Sequence, residues 1–306
     1  MDDGDNKRKK NMMEDDMFSY GGGGNRKKSK KIEKPPQISK LTKSDECYPT
    51  DIPANIKNID LDWCNVEGVM REVIDQGDRR VCWTIPPTRS LSARLVIDKR
   101  FLPPVCLSAL HLLVGLIDKV DSTGGLNNLE HLRKFMIDHG TVSEEECGCP
   151  QLALKMKNDA SKSDPVLCTE KGKSMHNRTF KVEDLIILDK VDEGKLIQLV
   201  TKGPVAVSID VHRKFSKFKG DGIYEGPKKG SRKQDQHMLL VYGYGTKLPE
   251  GIHFWRTQNS AGTKWGNNGY GKIIRKISRP AGEPSLFTCI LYPALLDLYE
   301  GEIEDA

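Results

Sequence analysis

The chain has 306 residues, 30% of them charged, and a formal net charge of +5. That length can bury a large core as one domain or two lobes, and so mild a surplus excludes a chain built along its whole length to bind nucleic acid. The longest apolar run, residues 106–117, contains Ser108 and His111 and is too short to span a bilayer, so no membrane partner is expected.

Residues 1 to about 50 mix acidic and basic blocks with the run Gly21 to Gly24 and Pro35-Pro36. Almost no apolar periodicity runs through them, and this composition reads as a disordered tail. Its clusters Lys7-Arg8-Lys9-Lys10 and Arg26-Lys27-Lys28-Ser29-Lys30-Lys31 suit a nuclear-import receptor, a weak nucleic-acid arm or a merely solvated tail. No apolar core follows the N-terminal charges, so a secretory signal is not expected, and the cytoplasm or nucleus is the expected location. The eight cysteines would then be mostly reduced, and the sequon Asn177-Arg178-Thr179 would stay unmodified.

From residue 51 to 306 the pattern is globular. Residues 107–116 read as a buried helix, with Leu107, Leu110, Leu113 and Leu116 on one side. Residues 126–139 repeat that pattern between Gly124-Gly125 and Gly140. Residues 156–185 are polar and read as a long connection. A short helix over 193–202 precedes five apolar stretches divided by glycine-rich turns: 205–211, 237–244, 252–258, 271–277 and 287–292. Helices early and strands late predict an α+β protein of two lobes, a helical one over about 65–155 and a β one over about 156–300.

Cys82 lies in the helical half, six residues after Gln76, while His237 opens one predicted strand and Asn259 follows another. A thiol nucleophile needs a base to take its proton and a donor for the oxyanion formed on a carbonyl. An amide side chain on the far imidazole nitrogen fixes the tautomer facing the sulfur. Beside an imidazolium, a cysteine can exist as thiolate at neutral pH. Cys147-Gly148-Cys149 with Cys168 and His176 holds zinc-binding residue types, but the spacing matches no standard finger. Unligated thiols are the reading there, and neither metal nor cofactor is expected.

Over residues 57–293 the order of motifs resembles the papain family of cysteine proteases. Asp62-Trp63-Cys64-Asn65-Val66-Glu67-Gly68-Val69 is similar to the opening of the mature family domain. Gln76-Gly77 and Cys82-Trp83 stand at the spacing of its oxyanion glutamine and nucleophile. Thr123-Gly124-Gly125 resembles the turn that lines its cleft, and Gln236-His237-Met238 its histidine strand. Asn259-Ser260-Ala261-Gly262-Thr263-Lys264-Trp265-Gly266 resembles its asparagine segment. The resemblance implies a helical left lobe, an antiparallel β-barrel-like right lobe and an active-site cleft between them. It also implies a monomeric endopeptidase acting on peptides or proteins, with Cys82, His237, Asn259 and Gln76 catalytic and Gly124, Gly125 and Met238 substrate-binding.

Several positions depart from that pattern. Arg79 and Ser122 stand where the family has a bridged cysteine pair, and Gly115 replaces one end of another bridge, as suits a reducing compartment. Pro86 and Pro87 fall within the family's nucleophile helix, so that helix is expected to be shortened, kinked or begun later, around Pro86. Arg79 and Arg80 place positive charge near the thiol, which lowers its pKa, and Arg80 is expected to crowd the cleft. Ala261 replaces a tryptophan that shelters the histidine–asparagine contact. These departures also define the alternative expectation, a catalytically impaired relative that binds peptides or proteins in the cleft.

Overall fold

A computed structural model describes residues 60–98, 104–147 and 178–295. The N-terminal tail with its basic clusters lies outside them, as do Cys149, Cys168, His176 and the asparagine of the sequon. All the described residues fall in the unit Ile52–Ala306.

The helical half is built from α1 (Ile85–Ile97), α2 (Ala109–Gly115), α3 (Leu129–Asp138) and the single turn α4 (Glu144–Cys147). Sequence capping explains two of the starts. Ser108 Oγ accepts from the His111 N–H at the head of α2, and Asn128 Oδ1 accepts from the Glu130 N–H at the head of α3, each satisfying a donor the helix leaves unpaired. Gly140 ends α3 at φ +72°, a conformation glycine adopts without the Cβ clash. Both helices fall inside the predicted stretches.

The β half opens with β2 (Asp184–Leu188) and α5 (Glu193–Val200). Then come β3 (Val205–Val211), the turn α6 (Arg213–Ser216), β4 (Ile223–Tyr224) and β5 (Asp235–Lys247). The last strands are β6 (Ile252–Gln258), β7 (Tyr270–Ile274) and β8 (Phe287–Ala294). The strands β3 and β6 coincide with the predicted runs, whereas β7 stops at Ile274 because a 3₁₀ turn takes over at Lys276. The strand β2 overlaps the end of the stretch read as a connection. Its Leu-Ile-Ile-Leu run is too short to stand out from the polar residues before it. The two-residue strands β1 (Leu61–Asp62) and β4 carry no periodicity at all.

The sheet runs β2-β8-β3-β5-β6-β7-β4, with β1 paired to β5. Neighbours are antiparallel except β4 with β7, and the path is open, with β2 and β4 at its ends. The strand β5 pairs with β3 along one edge and β6 along the other, with a register shift against β6 between Val241 and Gly243.

The helix α1 is buried on nearly every side and packs against β3, β5 and β8. Its polar residues are satisfied there. Ser90 Oγ donates to the Pro204 carbonyl at 2.7 Å, Ser92 Oγ donates to the Thr88 carbonyl and accepts from the Leu107 N–H, and buried Arg89 meets Cys106 and Glu144. One apolar cluster surrounds this helix and joins Leu112, Leu132 and Met136 of the helical half to Ala206, Met238 and Leu291 of the sheet. A second lies on the opposite side of the sheet around Trp255, Val207 and Tyr224. The segment leading into α1 is thereby anchored from both halves.

Candidate active site

Cys82 sits in the turn that precedes α1. The Thr84 N–H and hydroxyl both bond the Val81 carbonyl, at 3.0 and 2.8 Å. Thr84 then stands at the N-cap position, without a side-chain capping bond, of a helix whose first turn contains Pro86 and Pro87. The prolines therefore neither kink nor break the helix; it begins later, one of the three expected outcomes. First-turn N–H groups have no intrahelical acceptor, so proline is tolerated there. The consequence is electrostatic. The positive end of a helix resides in those N–H groups, and two of them are absent next to the thiol.

Val81 and Trp83 are buried on either side of Cys82, which is itself half-buried. The Trp83 indole donates to the Gly124 carbonyl at 2.8 Å, and the Arg80 N–H to the Thr123 carbonyl at 2.9 Å. These bonds hold the 121–125 turn against the cysteine. Gly124 has φ +88°, and a Cβ there would lie 2.9 Å from Val81 Cγ1. Asp121 shapes the turn by accepting from the N–H groups of Thr123 and Gly125.

The imidazole arrives on β5. His237 Nε2–H donates to Asn259 Oδ1 at 2.7 Å. That oxygen also accepts from the Ser260 N–H at 2.7 Å, which fixes the orientation of the amide and leaves Nδ1 for the sulfur. Burial alone would raise the Cys82 pKa. The His237 charge, its hydrogen bond and the Met238 N–H outweigh that, and the thiol pKa is lowered. Burial likewise opposes the charged imidazole, yet the thiolate and the bond to Asn259 raise the His237 pKa. Both shifts favour the thiolate–imidazolium form of the pair.

Gln76 is 8% exposed. Its Oε1 accepts from Ser260 Oγ at 2.6 Å and its Nε2 donates to the Arg79 carbonyl at 2.6 Å, leaving one amide N–H uncommitted. The Gln76 N–H bonds the Ser260 carbonyl, and Asp75 bridges Ala261. The structure thus brings together Gln76, Cys82, His237 and Asn259, the four residues named catalytic from sequence. Gly124 and Gly125 lie beside them, whereas the Met238 side chain is 4% exposed and faces the core, offering the sulfur its backbone N–H.

Three features were not legible beforehand. Arg80 does not lie free at the cleft: its guanidinium pairs with Asp235 and reaches Asp121 at 3.7 Å. The only available signal was that Asp235 and His237 are two apart on a strand and share a face. Ser260 ties Gln76 to the asparagine segment. Phe215 stands 6.4 Å from the His237 ring, with Trp265 tilted against it at 5.2 Å, and Asn259 is 4% exposed although Ala261 takes the place of the sheltering tryptophan. Among the described residues no group of His, Cys, Asp and Glu is placed to hold a metal.

This arrangement matches a known group. The model of the papain family cysteine proteases matches residues 58–289. A cathepsin L-like peptidase of Aedes aegypti is 30% identical over 247 residues, covering 79% of this chain and 65% of that protein. Cathepsin 7 of Mus musculus is 29% identical over 77% of this chain and 65% of its own length. The chain thus spans slightly under two thirds of these relatives. Among solved structures, the proform of the ragweed pollen cysteine protease Amb a 11 superposes with a TM-score of 0.61 at 22% identity, covering 84% of this chain and 71% of that one. The Carica candamarcensis protease CMS1MS2, in complex with E-64, gives 0.56 at 21% identity over 78% of this chain and 99% of its own. At these identities the two structures speak to the fold.

Proposed function

The chain belongs to the papain family of cysteine proteases, and on that footing we propose that it is a cysteine endopeptidase using Cys82, His237, Asn259 and Gln76. The observation that carries this reading is the convergence of Cys82, His237 and Asn259, with the imidazole held by the 2.7 Å bond to Asn259 and the cysteine and histidine pKa values displaced in the directions that favour an ion pair. The Cys82 sulfur attacks the peptide carbonyl, forming a C–S bond while the C=O electron pair moves to oxygen. The Gln76 amide N–H and the Cys82 backbone N–H receive that oxyanion. His237 then gives its proton to the leaving amine as the C–N bond breaks, leaving a thioester. Neutral His237 takes a proton from water, whose oxygen attacks the thioester. The C–S bond breaks, and thiolate and imidazolium are restored.

A second reading, a peptide-binding relative without turnover, is favoured by one observation. Arg80 is ion-paired to Asp235, two residues before His237, and the pair stands beside the nucleophile. An epoxide probe of the E-64 type separates the two. Covalent labelling that is lost in Cys82→Ser supports the enzyme. A well-folded wild-type protein that takes no label, and cleaves no peptide library, leaves only the binding role.

A further inference from the structure

Between His212 and Gln234 the chain carries eight lysines and arginines against two carboxylates, Asp221 and Glu225, a surplus larger than the +5 of the whole chain. All eight basic side chains are exposed. Folding brings the two ends of this segment together. The His212 Nδ1 lies 3.0 Å from the Arg232 carbonyl and the Gln234 N–H bonds the Val211 carbonyl, so the 226–234 loop lies against the start of α6. Lys233 is paired with Asp210, and Asp221 is drawn away to Lys272. Arg213, Lys217, Lys219, Lys228, Lys229 and Arg232 have no carboxylate partner among the described residues.

This surface borders the site. Phe215, from within α6, is the ring beside His237, and the 226–234 loop runs directly into Asp235 and His237 on β5. The surface therefore flanks the imidazole side of the cysteine–histidine pair. Its aromatic residues face inward: Phe215 and Tyr224 are fully buried, and Phe218 packs on Tyr224 and Trp265. No ring is offered on which bases could stack, which is how single-stranded nucleic acid is commonly held.

We propose that this basic surface is a docking site for an acidic stretch of the polypeptide substrate, lying outside the residues that flank the cleaved bond. The proposal rests on the endopeptidase reading, because a cleft that accepts an extended chain delivers its continuation to the surface at the cleft's rim. Charge of one sign beside a cleft raises the encounter rate of an oppositely charged ligand by about 10- to 1000-fold at low salt. The effect fades as the screening length falls to about 8 Å at physiological ionic strength.

Two measurements test it, on the whole 306-residue chain. First, Cys82→Ala protein is titrated with a fluorescent peptide carrying a glutamate tract and with its glutamine counterpart. The acidic peptide is expected to bind at least tenfold more tightly at low salt, and to lose that advantage in 0.5 M salt and in the triple variant Lys228→Glu/Lys229→Glu/Arg232→Glu. The glutamine triple variant, which removes charge without adding repulsion, is expected to fall between. Second, turnover of a short uncharged peptide by active protein is expected to be unchanged by either triple variant. Equal binding of the two peptides overturns the proposal, as does tighter binding of a single-stranded oligonucleotide than of the acidic peptide. Acidic binding that depends on the three residues, in a protein that cleaves nothing, keeps the surface and removes the endopeptidase reading. Turnover without acidic preference does the reverse.

Discussion

Replacing Arg80 by alanine leaves Asp235 without its cation, and the effect is read best in the pH dependence of kcat/KM. Asp235 acts on both members of the catalytic pair, opposing the Cys82 thiolate and favouring the His237 imidazolium. Arg80 at present offsets that charge. Removing it raises both pKa values, so the acid limb and the alkaline limb of the profile move together to higher pH. Two unit charges about 4 Å apart are worth about 4 kcal/mol at an effective dielectric of about 20. The Arg80 side chain is 43% exposed against 12% for Asp235, and pairs so open to solvent contribute nearer about 1 kcal/mol. One pKa unit is about 1.4 kcal/mol, and the offset felt at Cys82 and His237 is weaker than that within the ion pair itself, so each limb is expected to move by no more than about half a unit. Asp235→Asn works in the opposite direction, lowering both limbs. Arg80 also acts on Cys82 directly, and the effects of the two charges add, so the double variant should return both limbs to near their wild-type positions. The assay is hydrolysis of a short uncharged peptide across pH, with circular dichroism to confirm folding. Limbs that stay in place, or that move toward each other, refute the reasoning.

Three other substitutions test the supports of the site. Asn259→Ala removes the acceptor for both His237 Nε2–H and the Ser260 N–H; turnover of peptide substrate should fall by about 10²-fold, the usual penalty for misorienting a reacting group. Ser260→Ala leaves the buried Gln76 Oε1 without its donor, which should cost about 1–3 kcal/mol of stability by denaturant titration, with kcat falling while KM is held. Gly115→Ala places a Cβ inside the Phe135 ring; overpacking of this kind costs about 1–3 kcal/mol, visible as a lower Tm.

The outline of the fold was legible because its long elements carry their periods openly. The leucine spacings of α2 and α3 match a buried helix face, and the continuous apolar run of β3 matches a strand buried on both faces. The short strands β1 and β4 and the strand β2 were not, since two to five residues leave no pattern and gain order only from a partner strand. The start of α1 shows how local chemistry alone stayed ambiguous. Two prolines disrupt a helix interior but suit a first turn, and which applies depends on where the Val81–Thr84 turn begins.

For the site, residue types and order were enough to single out Gln76, Cys82, His237 and Asn259, because nucleophile, base, orienting amide and oxyanion donor are each the work of few side chains. What surrounds them was decided by tertiary structure. Arg80 and Asp235 are 155 residues apart, Gln76 and Ser260 are 184 apart, and Phe215 reaches His237 from a different element. Charge pairing and packing act through space, so a linear chain records which groups exist but not which of them meet. The sequence by itself therefore determined the chemistry available to this protein. The folded arrangement decided that Arg80 is partnered across the site, that the prolines begin α1 rather than break it, and that the surplus positive charge gathers beside His237.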